Sequence, residues 1–162
     1  MIDLPPLLDW IPRCDSRFKS PHHLAQFVEL LERAPRSGMR AMVSVPIRHH
    51  KTWTVICAIS WWLRKDPTLR VVYMTYSIKR AEEIGKDIRD LCRRSGIDPA
   101  KGYDTIQNWR NEVGGGVACM SADQSKLGAD VDILIWDDPF SGPSEADKPE
   151  VRTTVDETIA FY

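Results

Sequence analysis

Residues 44–53 read "SVPIRHHKTW", and whether this is a phosphate-holding loop decides the fold. Phosphate binding needs backbone N–H groups converging on the oxygens, a helix N-terminus behind them, a lysine against the negative charge and a hydroxyl for Mg²⁺. "MRAMVSV" (39–45) reads as a short β-strand ending at Pro46, residues 46–50 as the loop, and Lys51 to about Leu63 as a helix in which Thr52 brings the hydroxyl. The order is right. The usual pattern G-x-x-x-x-G-K-[ST] puts glycines at 45 and 50, where this chain has Val45 and His50. On that pattern alone the match is weak, and Lys51 reads equally well as a solvated lysine at a helix start.

A second segment strengthens the first. "VDILIWDDP" (131–139) is apolar on both faces and ends in Asp137 and Asp138, so it reads as a central parallel strand. Two carboxylates at such a strand end suit a Mg²⁺–ATP site opposite the loop: one holds the water shell of the metal, the other polarises the attacking water. In isolation the pair is an ordinary polar strand exit. Loop and acidic strand together are a much less common coincidence.

The rest of the chain supplies the surrounding elements. "SPHHLAQFVELLER" offers Ser20 as N-cap and Pro21 at the first helical position, with Leu24, Phe27, Val28 and Leu31 at helical spacing. The helix from Lys51 is apolar on nearly every side and should be buried. "RVVYMTY" (70–76) is a second strand, after which Ser77 can cap a helix striped by Ile78, Ala81, Ile84, Ile88 and Leu91. Strand, helix, strand, helix implies parallel pairing. Residues 105–121 suggest two short strands joined around Gly114, Gly115 and Gly116, and Val151, Val155, Ile159 and Tyr162 lie on one side of a terminal helix.

Composition fits one globular domain: 162 residues, 43% hydrophobic and a net charge of −1, with no coat of basic residues for static nucleic-acid binding. Residues 130–162 hold nine acids against two bases, a net of −7, which leaves +6 for the remainder. The four cysteines are far apart and form no C-x-x-C pair, so reduced thiols in a cytosolic protein are expected. The longest apolar run, Trp53 to Leu63, is too short to span a bilayer, and the N-terminus lacks a basic start before an apolar stretch, so neither insertion nor export is expected. The histidines occur as His22–His23 and His49–His50 without cysteine or carboxylate partners to complete a metal set. Trp53, Trp61, Trp62 and Trp136 fall in elements expected to be buried, which favours core over base stacking; Trp10 and Trp109 are undecided. Arg89, Arg93 and Arg94 form a basic helix end that suits DNA, a neighbouring subunit or simply the helix dipole.

Several segments, in order, resemble the large terminase subunit, the ATPase motor that drives DNA into tailed-phage and prophage capsids. The loop of that family often reads P-P-R-H-G-K-S, which "VPIRHHKT" matches at Pro46, Arg48, His49, Lys51 and, conservatively, Thr52. "YSIKRAEEIGKDIRDL" (76–91), "NWRNEVGGGVACMS", "LGADVDILIWDDPF" and "VRTTVDETIAFY" resemble its later segments, so the similarity covers about residues 20–162, after a lead-in of residues 1–19. The resemblance implies an α/β P-loop NTPase fold of the additional-strand type, a mainly parallel sheet flanked by helices, with one strand between the loop strand and the acidic strand. It implies ATP and Mg²⁺ as cofactors, phosphate contacts from Pro46, Ile47, Arg48, His49, His50, Lys51 and Thr52, and Mg²⁺ held by Thr52 and Asp137. Arg48 then stabilises charge on the γ-phosphate, or is merely exposed at the loop tip, and Asp138 stands where many members have a catalytic glutamate. His22, His23 or Gln26 on the helix 20–33 would lie on the adenine side, with plain helix packing the alternative.

The implied partners are double-stranded DNA, the portal protein, the small terminase subunit and further copies in a ring, in the cytoplasm of a bacterial host. Further motor strands and the family's nuclease domain do not occur in these 162 residues. The chain is therefore expected to be a fragment or truncated product, weak in ATP hydrolysis and without nuclease activity; cleavage of plasmid DNA with Mn²⁺ would refute the latter. A helicase-like DNA-remodelling ATPase and a degenerate nucleotide fold kept as an interaction module remain as alternatives. His50 is the sharpest departure, since glycine there allows close phosphate approach and unusual φ.

Overall fold

The computed structural model describes residues 4–19, 21–46, 48–121, 131–142, 144 and 147–161. Helix α3 (Lys51–Lys65) is its centre: all ten residues from Thr54 to Leu63 are buried, as a helix apolar on every side requires. Three tryptophans on and around α3, Trp61 and Trp62 buried and Trp10 half-buried, direct their N–H groups to oxygen. Trp10 Nε1 donates to Ser60 Oγ (3.0 Å), Trp61 Nε1 to the Pro5 carbonyl (2.8 Å) and Trp62 Nε1 to the Leu31 carbonyl (2.9 Å). The lead-in thereby joins the core as helix α1 (Leu7–Cys14), whose Leu7 and Ile11 are buried.

A 3₁₀ turn (His22–Leu24) precedes α2 (Ala25–Ser37), so Pro21 lies outside the α-helix instead of opening it; Ser20 lies outside the described residues. Helix α2 runs beyond residue 33 and through Pro35. Proline has no N–H to offer the carbonyl four residues back, that of Leu31, and this is the carbonyl that Trp62 fills.

The sheet has four strands in the order β2-β3-β1-β4. β1 (Arg70–Thr75) pairs in parallel with β3 (Gly116–Ser121) and β4 (Ile133–Trp136), while β2 (Asn108–Arg110) pairs antiparallel with β3. The expected glycine hairpin is therefore present. A Cβ on Gly116 would lie 2.1 Å from the Trp109 carbonyl oxygen, so only glycine lets these strands close. Helix α4 (Ile78–Arg94) is capped by Ser77, which accepts from the Arg80 N–H at 3.3 Å. Its Ala81, Ile84, Ile88 and Leu91 are buried as expected, whereas Ile78, in the first turn, is 40% exposed. Alternation splits the sheet: Val71, Tyr73, Val117, Cys119 and Ile133 join the main core with the helices, and Val72, Met74 and Met120 form a smaller cluster. Of the terminal helix, α5 (Pro149–Phe161), Val151 is half-buried, and the side chains of Val155, Ile159 and Tyr162 lie outside the described residues.

Two further sequence expectations need correction. Residues 39–45 do not form a strand, and Met42 is 99% exposed. β4 is an edge strand among the described residues rather than a central one. Both have one cause. A strand exists only where a neighbour completes its ladder, and an open groove of about 630 Å³ separates Met39, Ala41 and Val43 from β4. No helix among the described residues is long and apolar enough to cross a membrane.

Candidate functional site

The two halves singled out in the sequence meet at the C-terminal end of β4. Parallel pairing continues one residue past the strand, where the Asp137 N–H donates to the Met74 carbonyl at 2.9 Å and fixes the residue against β1. The side chain is buried and fully engaged. Lys51 Nζ lies 2.8 Å from Asp137 Oδ1 and 2.7 Å from Asp138 Oδ1. Asp137 Oδ2 accepts from Thr52 Oγ1 at 2.7 Å and from the Tyr73 hydroxyl at 2.5 Å.

Electrostatics follow from these contacts. Burial alone would raise the Asp137 carboxyl, but the hydrogen bonds from Lys51, Tyr73 and Thr52 outweigh it and hold its pKa below the ordinary value. Burial likewise works against the Lys51 charge, and the two aspartates reverse that, raising its pKa. The Tyr73 phenol is pushed well above its usual range by burial and then by the Asp137 charge, so it stays protonated and acts as the donor.

Residues 48–53 wall one side of an open cleft of about 410 Å³ that also reaches Pro46 and Asp138; Arg80, Ile84 and Asp87 of α4 wall the other. Lys51 and Thr52 open α3, whose first turn contains no acidic residue and takes no capping bond from the His50 side chain. Such a helix start suits an anion. Ile47 lies outside the described residues.

Arg48 (φ 67°), His50 (φ 58°) and Asp138 (φ 49°) are the non-glycine residues with positive φ among those described, and all three belong to this site. That is the left-handed region, which costs an L-residue roughly 1–2 kcal/mol. The question raised by His50 is thus answered in part: the chain does adopt the conformation that favours glycine, with histidine in place. The imidazole is held edge-on against the Phe18 ring (4.7 Å between centroids), and Phe18 stacks on Trp53 at 5.3 Å. Replacing His50 by glycine relieves the φ cost but loses the ring contact and loosens the unfolded chain. His50→Gly is accordingly expected to change stability by less than about 1 kcal/mol, and the β-branched His50→Val to cost about 1–2 kcal/mol more, measured by urea denaturation.

Of the residues expected on the adenine side, the structure brings only His23 to the loop, with its ring 5.2 Å from that of His49; His22 and Gln26 are exposed, and none of the three lines the cleft. Arg89 and Arg93 both bind Asp104, at 3.2 and 2.5 Å, and so tie α4 to the segment before β2. Trp61, Trp62 and Trp109 are core residues, while Trp10, Trp53 and Trp136 are half-buried. Neither periodicity nor motif marked Tyr73, Phe18 or Arg80 for the site. Alternation along β1 does place Tyr73 on the helix-covered face, but its meeting with Asp137 depends on the Tyr73–Ile135 register, which only the fold supplies. Compared with protein-family models, the chain matches none.

Proposed function

We propose that this chain binds Mg²⁺–ATP between the loop 46–52 and the Asp137–Asp138 pair, and that it is the ATPase portion of a DNA-packaging motor of the large-terminase kind. One observation carries the nucleotide assignment: Lys51 and Thr52, at the start of α3, contact Asp137 and Asp138, more than 80 residues later, at the end of β4. The motor assignment rests on the order of the sequence segments.

The donor set fits the cofactor. A hydroxyl and a carboxylate are hard oxygen ligands of the kind Mg²⁺ takes, so Thr52 and Asp137 would hold it. When bound, the ion neutralises phosphate charge as the terminal phosphoryl group departs. Lys51 would leave Asp138 for the phosphate oxygens, a move its flexible stem permits. Asp138, with its side chain 61% exposed, is then free to accept a hydrogen bond from the attacking water and orient it toward the γ-phosphorus. Arg48, which lines the same cleft, would offset the charge that develops there.

With Lys51 already neutralised by two carboxylates, phosphate brought without the metal meets an acidic site, so ATP in EDTA is expected to bind more weakly than Mg²⁺–ATP. Phosphate release from Mg²⁺–ATP, with and without double-stranded DNA, tests the assignment. Weak release that DNA stimulates and that Asp138→Asn abolishes is the expected result. Unwinding of a forked duplex would favour a helicase-like enzyme, and a folded chain indifferent to ATP would favour the interaction module.

A further inference from the structure

We propose that Tyr73 is a positioning residue for the metal-holding carboxylate: its hydroxyl, 2.5 Å from Asp137 Oδ2, fixes the rotation of that side chain so that it is set for Mg²⁺ before the ion arrives. The inference rests on Mg²⁺–nucleotide binding at this site and adds to it a residue that neither the loop nor the acidic strand contains.

The geometry is specific. Asp137 is 7% exposed and Tyr73 1% exposed, so the bond between them is out of competition with water. Oδ2 is shared by two hydroxyls that enter from different elements, Thr52 from α3 and Tyr73 from β1, while Oδ1 faces Lys51. The two other partners would have to adjust for a bound nucleotide, since Lys51 would turn to phosphate and the Thr52 oxygen would be a ligand of the metal. Tyr73 has no such second task. Its ring is set in the sheet opposite Cys119 and Ile135, and its hydroxyl is the donor to Asp137 that can stay in place throughout. A carboxylate that lost this donor would keep its backbone tether to Met74 yet gain freedom of rotation about its last bond. Partners of this kind, hydrogen-bonded to a metal ligand rather than to the metal, characteristically set affinity for the ion.

The test separates the ion from the nucleotide. Binding of a fluorescent ATP analogue is titrated with Mg²⁺, and separately measured in EDTA, for the wild-type chain and for Tyr73→Phe, which keeps the ring in the core. The expected result is a rise of about tenfold in the Mg²⁺ concentration needed for half-maximal binding. Affinity in EDTA should stay within about twofold of wild type, since the phosphate contacts are untouched. Placing 3-fluorotyrosine at position 73, which retains the hydroxyl, should restore the wild-type Mg²⁺ dependence. A Tyr73→Phe chain that melts lower but keeps the wild-type Mg²⁺ dependence, or one that loses EDTA and Mg²⁺ affinity in equal proportion, overturns the positioning role. A folded wild-type chain that binds nucleotide neither with nor without Mg²⁺ overturns the nucleotide assignment itself, and the role of Tyr73 with it.

Discussion

Lys51→Ala is expected to weaken Mg²⁺–ATP binding by about 100-fold or more while leaving the chain folded. On the proposed reading, the change removes the charged donor that would turn to phosphate in a partly desolvated cleft, an effect of about 3–4 kcal/mol. Lys51→Arg should not restore binding, because a planar guanidinium cannot replace a compact ammonium between two aspartates and a loop. Stability should fall too, by about 1–3 kcal/mol, since Asp137 loses its cation but retains Thr52 and Tyr73 as donors, and Lys51 is itself partly solvated.

The pH dependence of that loss has a definite sign. Asp137 is held below its ordinary pKa, so its contribution is complete above the unfolded value of about 3.9 and disappears as pH falls through the lower folded value. Lys51 is held above its ordinary pKa, so its contribution is complete below about 10.4 and disappears as pH rises through the higher folded value. The pair thus stabilises most between roughly pH 4 and 10. In Lys51→Ala the chief cation beside Asp137 is gone, and acid unfolding should begin at higher pH than in wild type, as a circular-dichroism titration would record.

Trp62→Ala is expected to be the most destabilising single change, at about 3–5 kcal/mol. Trp62 is 1% exposed, and truncation leaves both a cavity between α2 and α3 and an unfilled Leu31 carbonyl that Pro35 cannot satisfy. In a domain of this size the melting temperature should drop by roughly 6–20 °C in a calorimetric scan. Trp62→Phe keeps most of the apolar area but not the N–H, and should cost only about 1–2 kcal/mol. A loss in Trp62→Phe equal to that in Trp62→Ala would mean that the hydrogen bond, rather than the packing, holds α2 in place.

Local pattern and tertiary context divided the structure between them. The periodicity of Ala81, Ile84, Ile88 and Leu91 marked the buried face of α4, Ser77 marked its start, and the glycines at 114–116 marked the hairpin. Lys51, Thr52, Asp137 and Asp138 were legible because each lies at the end of a strongly patterned element. Residues 39–45 were misread as a strand, because β-propensity records what a segment can do and not whether a neighbour is present to pair with it. For the same reason β4 is an edge among the described residues. Helix α1 was hidden by its prolines, which read as a lead-in although Leu7 and Ile11 are among the most buried residues. Tyr73 and Phe18 were invisible for another reason: one is defined by strand register and the other by a contact across 32 residues, from Phe18 to His50.

The central claim is that the loop and the acidic strand end form one nucleotide site, and amide chemical-shift mapping tests it most directly. ¹⁵N-labelled chain would be titrated with Mg²⁺–ATP, with Lys51→Ala alongside. The expected result is saturable shifts concentrated at residues 45–53 and 136–138, absent in the mutant. A folded wild-type chain whose shifts do not move, or move only along the groove beside β4, would contradict it.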